Sequence, residues 1–172
     1  MVRRKAVSPL VSYMLVVFLI ISGVVIVLTM GMPLLERSRQ VASIQSAQDT
    51  LLNIDSKIRQ TVSYGEGSRT EASITTDYGR YTFEPANDTF YYTIETEADV
   101  VSAGSQTRIG PVNMSSSDGV NIKLSLDYSD EKINLTDPDG RERINFGQGF
   151  FNLRFRNRGE TDGKVSLEVG YR

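Results

Sequence analysis

The chain has 172 residues, a formal charge of −2, and neither cysteine nor histidine. Without thiolates there is no disulfide, thiol nucleophile or zinc–thiolate site, and without imidazole the commonest general base and metal ligand is missing, so no enzymatic activity, metal or cofactor is expected. Setting aside the three cations near the N-terminus takes the charge to −5, which points to an acidic exterior and to no nucleic-acid partner.

The first element is decided by charge. After Met1-Val2-Arg3-Arg4-Lys5, the thirty residues from Ala6 to Leu35 contain no ionisable acid or base other than Tyr13, and Glu36 is the first carboxylate. About 20 apolar residues suffice to cross the hydrocarbon core as a helix. The run is too long for a cleaved secretory signal, whose apolar region spans roughly 7 to 15 residues. Three cations before it, against Arg37 and Arg39 partly offset by Glu36 after it, place the N-terminus in the cytoplasm and everything beyond Met32 outside. Carboxylates and amines are absent from the run, which argues against a proton or ion pathway. Gly31 and Pro33 interrupt it, and proline's missing N–H predicts a kink or a short melted stretch around residues 29–33.

The helical pattern continues past the apolar run. Val41, Ile44, Leu51, Ile58 and Val62 recur at spacings of three and seven, with Ala47, Leu52 and Ile54 beside them, so an amphipathic helix extends the first one as far as Gly65 and Gly67. One helix from about Val7 to about Val62 is expected, roughly 80 Å long. Its apolar stripe predicts packing against the protein's own sheet, and Glu36, Arg37, Asp49, Asp55, Lys57 and Arg59 read as a solvated face.

From Gly67 the period changes to two. Val120, Ile122, Leu124, Leu126 and Tyr128 alternate with Asn121, Lys123, Ser125 and Asp127, as a half-buried strand requires. Phe151, Leu153 and Phe155, then Val165, Leu167, Val169 and Tyr171, predict a C-terminal hairpin across Gly159–Gly163. Shorter strands are expected at residues 72–75, 80–83, 90–95, 132–135 and 142–146, with a weak one at 108–112. The fold class is α+β: a long hydrophobic helix and an antiparallel β-sandwich head of seven to nine strands. The expected parts are residues 1–5 as a basic leader, 6–35 as a transmembrane or filament-core helix, 36–64 as a helical stalk, and 65–172 as the head.

Candidate sites in the head are few. Asn87-Asp88-Thr89, Asn113-Met114-Ser115 and Asn134-Leu135-Thr136 are glycosylation sequons, triplets that also arise by chance in a chain rich in Ser, Thr and Asn. Asp137-Pro138-Asp139-Gly140 lacks the later ligands of a calcium loop and reads as a turn. Glu95, Glu97 and Asp99 read as a solvated strand face, since a glycosidase pair comes from separate elements around a cleft. Arg154, Arg156 and Arg158 share a strand face with Glu168 and Arg172 beside it, which suits cross-strand ion pairs or a subunit interface.

Taken together, Arg3-Arg4-Lys5, the following Ala6-Val7-Ser8-Pro9-Leu10-Val11, the uninterrupted hydrophobic helix and the β-rich head resemble an archaeal type IV pilin or a pilin-like protein of the superfamily that includes archaellins. The likeness is specific over about the first thirty residues and architectural beyond. It implies a prepilin peptidase cut between Lys5 and Ala6, a pilus assembly machinery as partner, and self-association through the N-terminal helices, for which Leu10, Val16, Leu19, Val24 and Leu28 are the candidate contacts. Family members commonly carry Val-Ile-Gly after the proline, where this chain has Leu10-Val11-Ser12, and Leu10 stands where bacterial pilins have glutamate. The expected function is a structural subunit of a surface filament serving adhesion, with a membrane-anchored, non-polymerising or minor pilin-like protein as the alternative.

Overall fold

A computed structural model describes residues 9–96 and 102–172, and the side chains of Pro9 and Leu10 lie outside the description. The processing pair Lys5 and Ala6, and the acidic Glu97 and Asp99, fall outside the described residues. The chain forms two compact units, one ending at Arg39 and the other comprising Gln40–Arg172.

Helix α1 (Pro9–Ser63) contributes to both units and ends within one residue of the expected position. The expected melted stretch at residues 29–33 is absent, and Pro33 sits inside continuous helix. A proline removes one intrahelical bond, here the one to the Thr29 carbonyl, and the flanking turns keep theirs. Thr29 turns its hydroxyl back onto the helix, with Oγ1 2.9 Å from the Val25 carbonyl and 3.1 Å from that of Ile26.

In the second unit α1 is amphipathic as expected. Ile44, Ala47, Leu51, Ile54 and Ile58, all 3% exposed or less, form one stripe in the core, whereas Val41, Leu52 and Val62 are only half-buried. Because the compact unit begins at Gln40, the helical residues 40–63 are part of the head.

Ten strands follow among the described residues: β1 (Arg69–Thr76), β2 (Arg80–Glu84), β3 (Thr89–Glu95), β4 (Gln106–Ile109), β5 (Val112–Ser116), β6 (Asn121–Asp127), β7 (Ile133–Thr136), β8 (Ile144–Phe146), β9 (Gly149–Thr161) and β10 (Lys164–Tyr171). They build a four-stranded sheet in the order β1-β9-β10-β7 and a six-stranded sheet in the order β4-β5-β6-β3-β2-β8. The single weak strand expected at residues 108–112 is a hairpin, β4 and β5 joined at Gly110-Pro111, with Gly110 at φ 60° where a primed turn needs a positive angle. One pairing departs from an antiparallel head: β7 and β10 run parallel.

The sheets face each other across aromatic contacts. Phe90 of β3 meets Phe155 of β9 edge-on at 6.3 Å between ring centroids, and Phe146 of β8 meets Phe151 and Tyr171 at 5.4 and 5.3 Å. The alternation of β6 delivers Ile122, Leu124 and Leu126 to this core, each 1% exposed or less, while Val120 precedes the strand and is 39% exposed. Strand β1 returns alongside the helix. Thr61 Oγ1 and Thr70 Oγ1 lie 2.6 Å apart, both reach the Lys57 carbonyl, and Ser68 Oγ donates to the Thr61 carbonyl at 2.7 Å. These bonds fasten the last turns of the helix to the start of β1.

Candidate functional site

The stretch that stands out chemically is the first half of α1. From Val11 to Leu35 nearly every side chain is exposed: Val16 is 54% exposed, Leu19 66%, Val24 52% and Leu28 52%. The backbone of Leu10 belongs to the same helix. At 100° per residue, Val16, Leu19, Val24 and Leu28 spread over about half the circumference. They form no stripe, and the apolar surface encircles the helix. An all-round apolar helix requires an all-round apolar surrounding. Among the described residues, nothing beyond the local helix backbone lies within 4 Å of where a Cβ on Gly23 or Gly31 would stand. The helix is long and apolar enough to cross a membrane, and none of its most apolar window is buried within the chain.

The other predicted sites are scattered. Asn87 is exposed at the end of a short 3-10 turn, Pro85–Asn87, with its Nδ2 donating to Glu84 Oε2 at 3.2 Å. Asn113 is exposed as the second residue of β5, and Asn134 is half-buried in β7, so these two sit within strands. Asp137 closes its turn as read from sequence, accepting the Arg141 amide at Oδ2 (3.0 Å), while Gly140 N–H donates to the Asp137 carbonyl at 3.1 Å. Glu95 is exposed at the end of β3. Arg154 and Arg158 form cross-strand ion pairs, Arg158 with the expected Glu168 and Arg154 with Glu71 of β1. No group of three or more potential metal-ligating side chains occurs among the described residues.

One polar cluster escaped the sequence reading. Asp55, expected on a solvated face, is 8% exposed. Tyr128 donates its hydroxyl to Asp55 Oδ1 at 2.9 Å, Arg59 Nε approaches both carboxylate oxygens at 3.0 Å, and the Arg59 guanidinium spans onward to Glu131 at 2.9 and 3.1 Å. Burial, reinforced by the Asp55 charge, drives the Tyr128 phenol upward, and bonding to Glu131 and Asp55 raises Arg59. The cluster ties the helix to the turn after β6. Its only sequence signal is the (i, i+4) spacing of Asp55 and Arg59, which names no partner on the sheet.

Asp88 serves a similar end. Held at φ 51°, it accepts the Leu135 amide at Oδ1 (2.6 Å), anchoring β7. These groups are structural fastenings, and the bare apolar helix is the surface with an unmet demand. No protein-family model, curated protein or solved structure matches the chain.

Proposed function

We propose that the chain is a structural subunit of an archaeal type IV pilus-like surface filament, assembled through its hydrophobic N-terminal helix and serving adhesion. The observation that carries this reading is the exposure of residues 11–35 on every side of a charge-free helix. In the membrane, lipid meets that demand; in a filament, the same segments of neighbouring subunits meet it. Subunits related by a rotation and a rise that never closes would stack without limit. No catalytic group is required of the subunit. The precursor sits with its N-terminus in the cytoplasm, a prepilin peptidase cuts before Ala6, and the head faces outward.

A second reading has the same support, since a lipid-surrounded helix also suits a minor or non-polymerising pilin-like protein that displays the head from the membrane. Mass spectrometry is expected to find a mature N-terminus at Ala6. An intact Met1, or a cut beyond Met32, would remove the pilin assignment altogether. Negative-stain microscopy of material sheared from cells separates the two readings, filaments containing this chain supporting the first and their absence the second.

A further inference from the structure

On the outward face of the four-stranded sheet, Arg69 of β1 and Arg156 of β9 occupy directly opposed register positions. Opposed side chains on neighbouring antiparallel strands start about 5 Å apart, and like charges placed so are destabilising. Neighbouring cations on this face have acidic partners: Arg154 Nε donates to Glu71 Oε1 at 3.0 Å and Arg158 Nε to Glu168 Oε2 at 2.8 Å. Glu168 is also the β10 register partner of Arg156, yet its carboxylate is taken by Arg158. Among the described residues, no salt bridge or side-chain hydrogen bond involves Arg69 or Arg156, and Arg156 Nε is buried without a partner.

This pairing runs against the rest of the head. Residues 40–172 carry 14 Lys and Arg against 20 Asp and Glu, a formal charge of −6, and yet two arginines at opposed register positions have no carboxylate partner among the described residues. A buried donor with no acceptor costs stability, and so does a like-charge pair. A single external oxyanion offsets both costs.

We infer that Arg69 and Arg156 form a binding site for an oxyanion, a sulfate, phosphate or carboxylate group bridged by two guanidiniums. Arginine suits this chemistry because its rigid fork of N–H donors matches the oxygen spacing of such groups. Glu71 and Glu168, the carboxylates at neighbouring register positions, are occupied by Arg154 and Arg158 and leave the site open to an outside anion. The site stands independently of the filament reading.

The test uses the full chain in detergent micelles, unfolded thermally and followed by circular dichroism. Sodium sulfate, phosphate and acetate are titrated against sodium chloride at matched ionic strength. The wild type is expected to show a saturable rise in Tm with at least one oxyanion, and Arg69→Met and Arg156→Met to lose it. Both variants should melt no lower than the wild type in chloride, because the like-charge contact is gone. Arg80→Met, on the other sheet, should keep the response. An equal rise in wild type and both arginine variants would reduce the effect to general salting-out and overturn the site; so would the absence of any rise, or a lower melting point of both variants in chloride. Retention on immobilised dextran sulfate but not on dextran, lost in both variants, assigns the oxyanion to a polymer, whereas a thermal response without retention assigns it to a small ion.

Discussion

Between Val11 and Leu35 the aliphatic side chains of α1 surround the helix axis and stand in the open, whereas between Ile44 and Ile58 they keep to one stripe and are closed off by β-sheet. Both stretches are regular α-helix. The angular distribution of apolar side chains, not the conformation, sets where burial has to come from. A stripe is satisfied by the chain itself, in one core shared with inward residues of both sheets such as Tyr92, Leu124 and Phe155. A full circle has to be satisfied by lipid or by other chains.

The sharpest break in that comparison comes from placing a carboxylate on the covered side. Leu124 is fully buried, and Leu124→Asp is expected to abolish folding of the head, a cost above about 4 kcal/mol. Lys123 points the other way, with its ammonium 4.2 Å from the centre of the Tyr91 ring. Lys123→Asp should therefore cost about 1 kcal/mol or less. Circular dichroism and urea unfolding distinguish the two, and similar effects would sink the inside–outside assignment of β6.

On the open side the same kind of substitution should spare the fold and strike assembly. Val24→Asp puts a carboxylate into the middle of the apolar circle, at about 2.5 to 3.5 kcal/mol on the insertion scale for a helix centre. Filaments are expected to vanish while the strand signal of the head is unchanged. Normal filaments from this variant would show that the segment is not an assembly core.

How much of this was legible in the sequence follows the same division. The charge-free run and the period-two segments around Leu124, Phe155 and Leu167 are strong because one physical demand repeats over many residues. The hairpin of β4 and β5 reads as one weak strand in sequence, since β5 contributes only Val112 and Met114 as inward apolar residues and the β4 side chains are mostly exposed. Pairing of β7 with β10 joins segments about thirty residues apart and leaves no local signature. Asp55 looked solvated because its charge is visible in sequence, whereas Tyr128, 73 positions away, is not visibly its partner. Arg69 and Arg156 become opposed only through register, which alternation alone does not specify across distant strands.

Alkali offers a milder way to separate the two regions. Burial pushes the Tyr81 phenol up to about 12 and raises Tyr92 as well. A phenol that holds its proton more tightly in the folded state contributes stability that is complete below its unfolded value near 10, and loses it as pH climbs through the folded one. The head should lose about 2 to 3 kcal/mol from Tyr81 between roughly pH 10 and 12, and Tyr81→Phe should flatten that slope. A denaturation midpoint that stays level across this window in the wild type would contradict the burial of the ring.

The smallest expected effect tests how the covered half of α1 is fastened. Tyr128→Phe removes one buried hydroxyl but leaves the Asp55 carboxylate held by Arg59 Nε at 3.0 Å, so no charge is abandoned and the loss should be about 1 kcal/mol. Asp55→Ala is the harsher change, because it strands the Tyr128 hydroxyl in the interior, and should cost about 1 to 3 kcal/mol. Arg59 would keep its contact with Glu131 in that variant, and its guanidinium is half in solvent, which limits the penalty on its side. If the cluster acts as one fastening, the double variant should cost less than the sum of the two single ones, by about 0.5 kcal/mol or more. Strict additivity in urea unfolding would mean that Tyr128 and Asp55 contribute separately and do not act as one fastening.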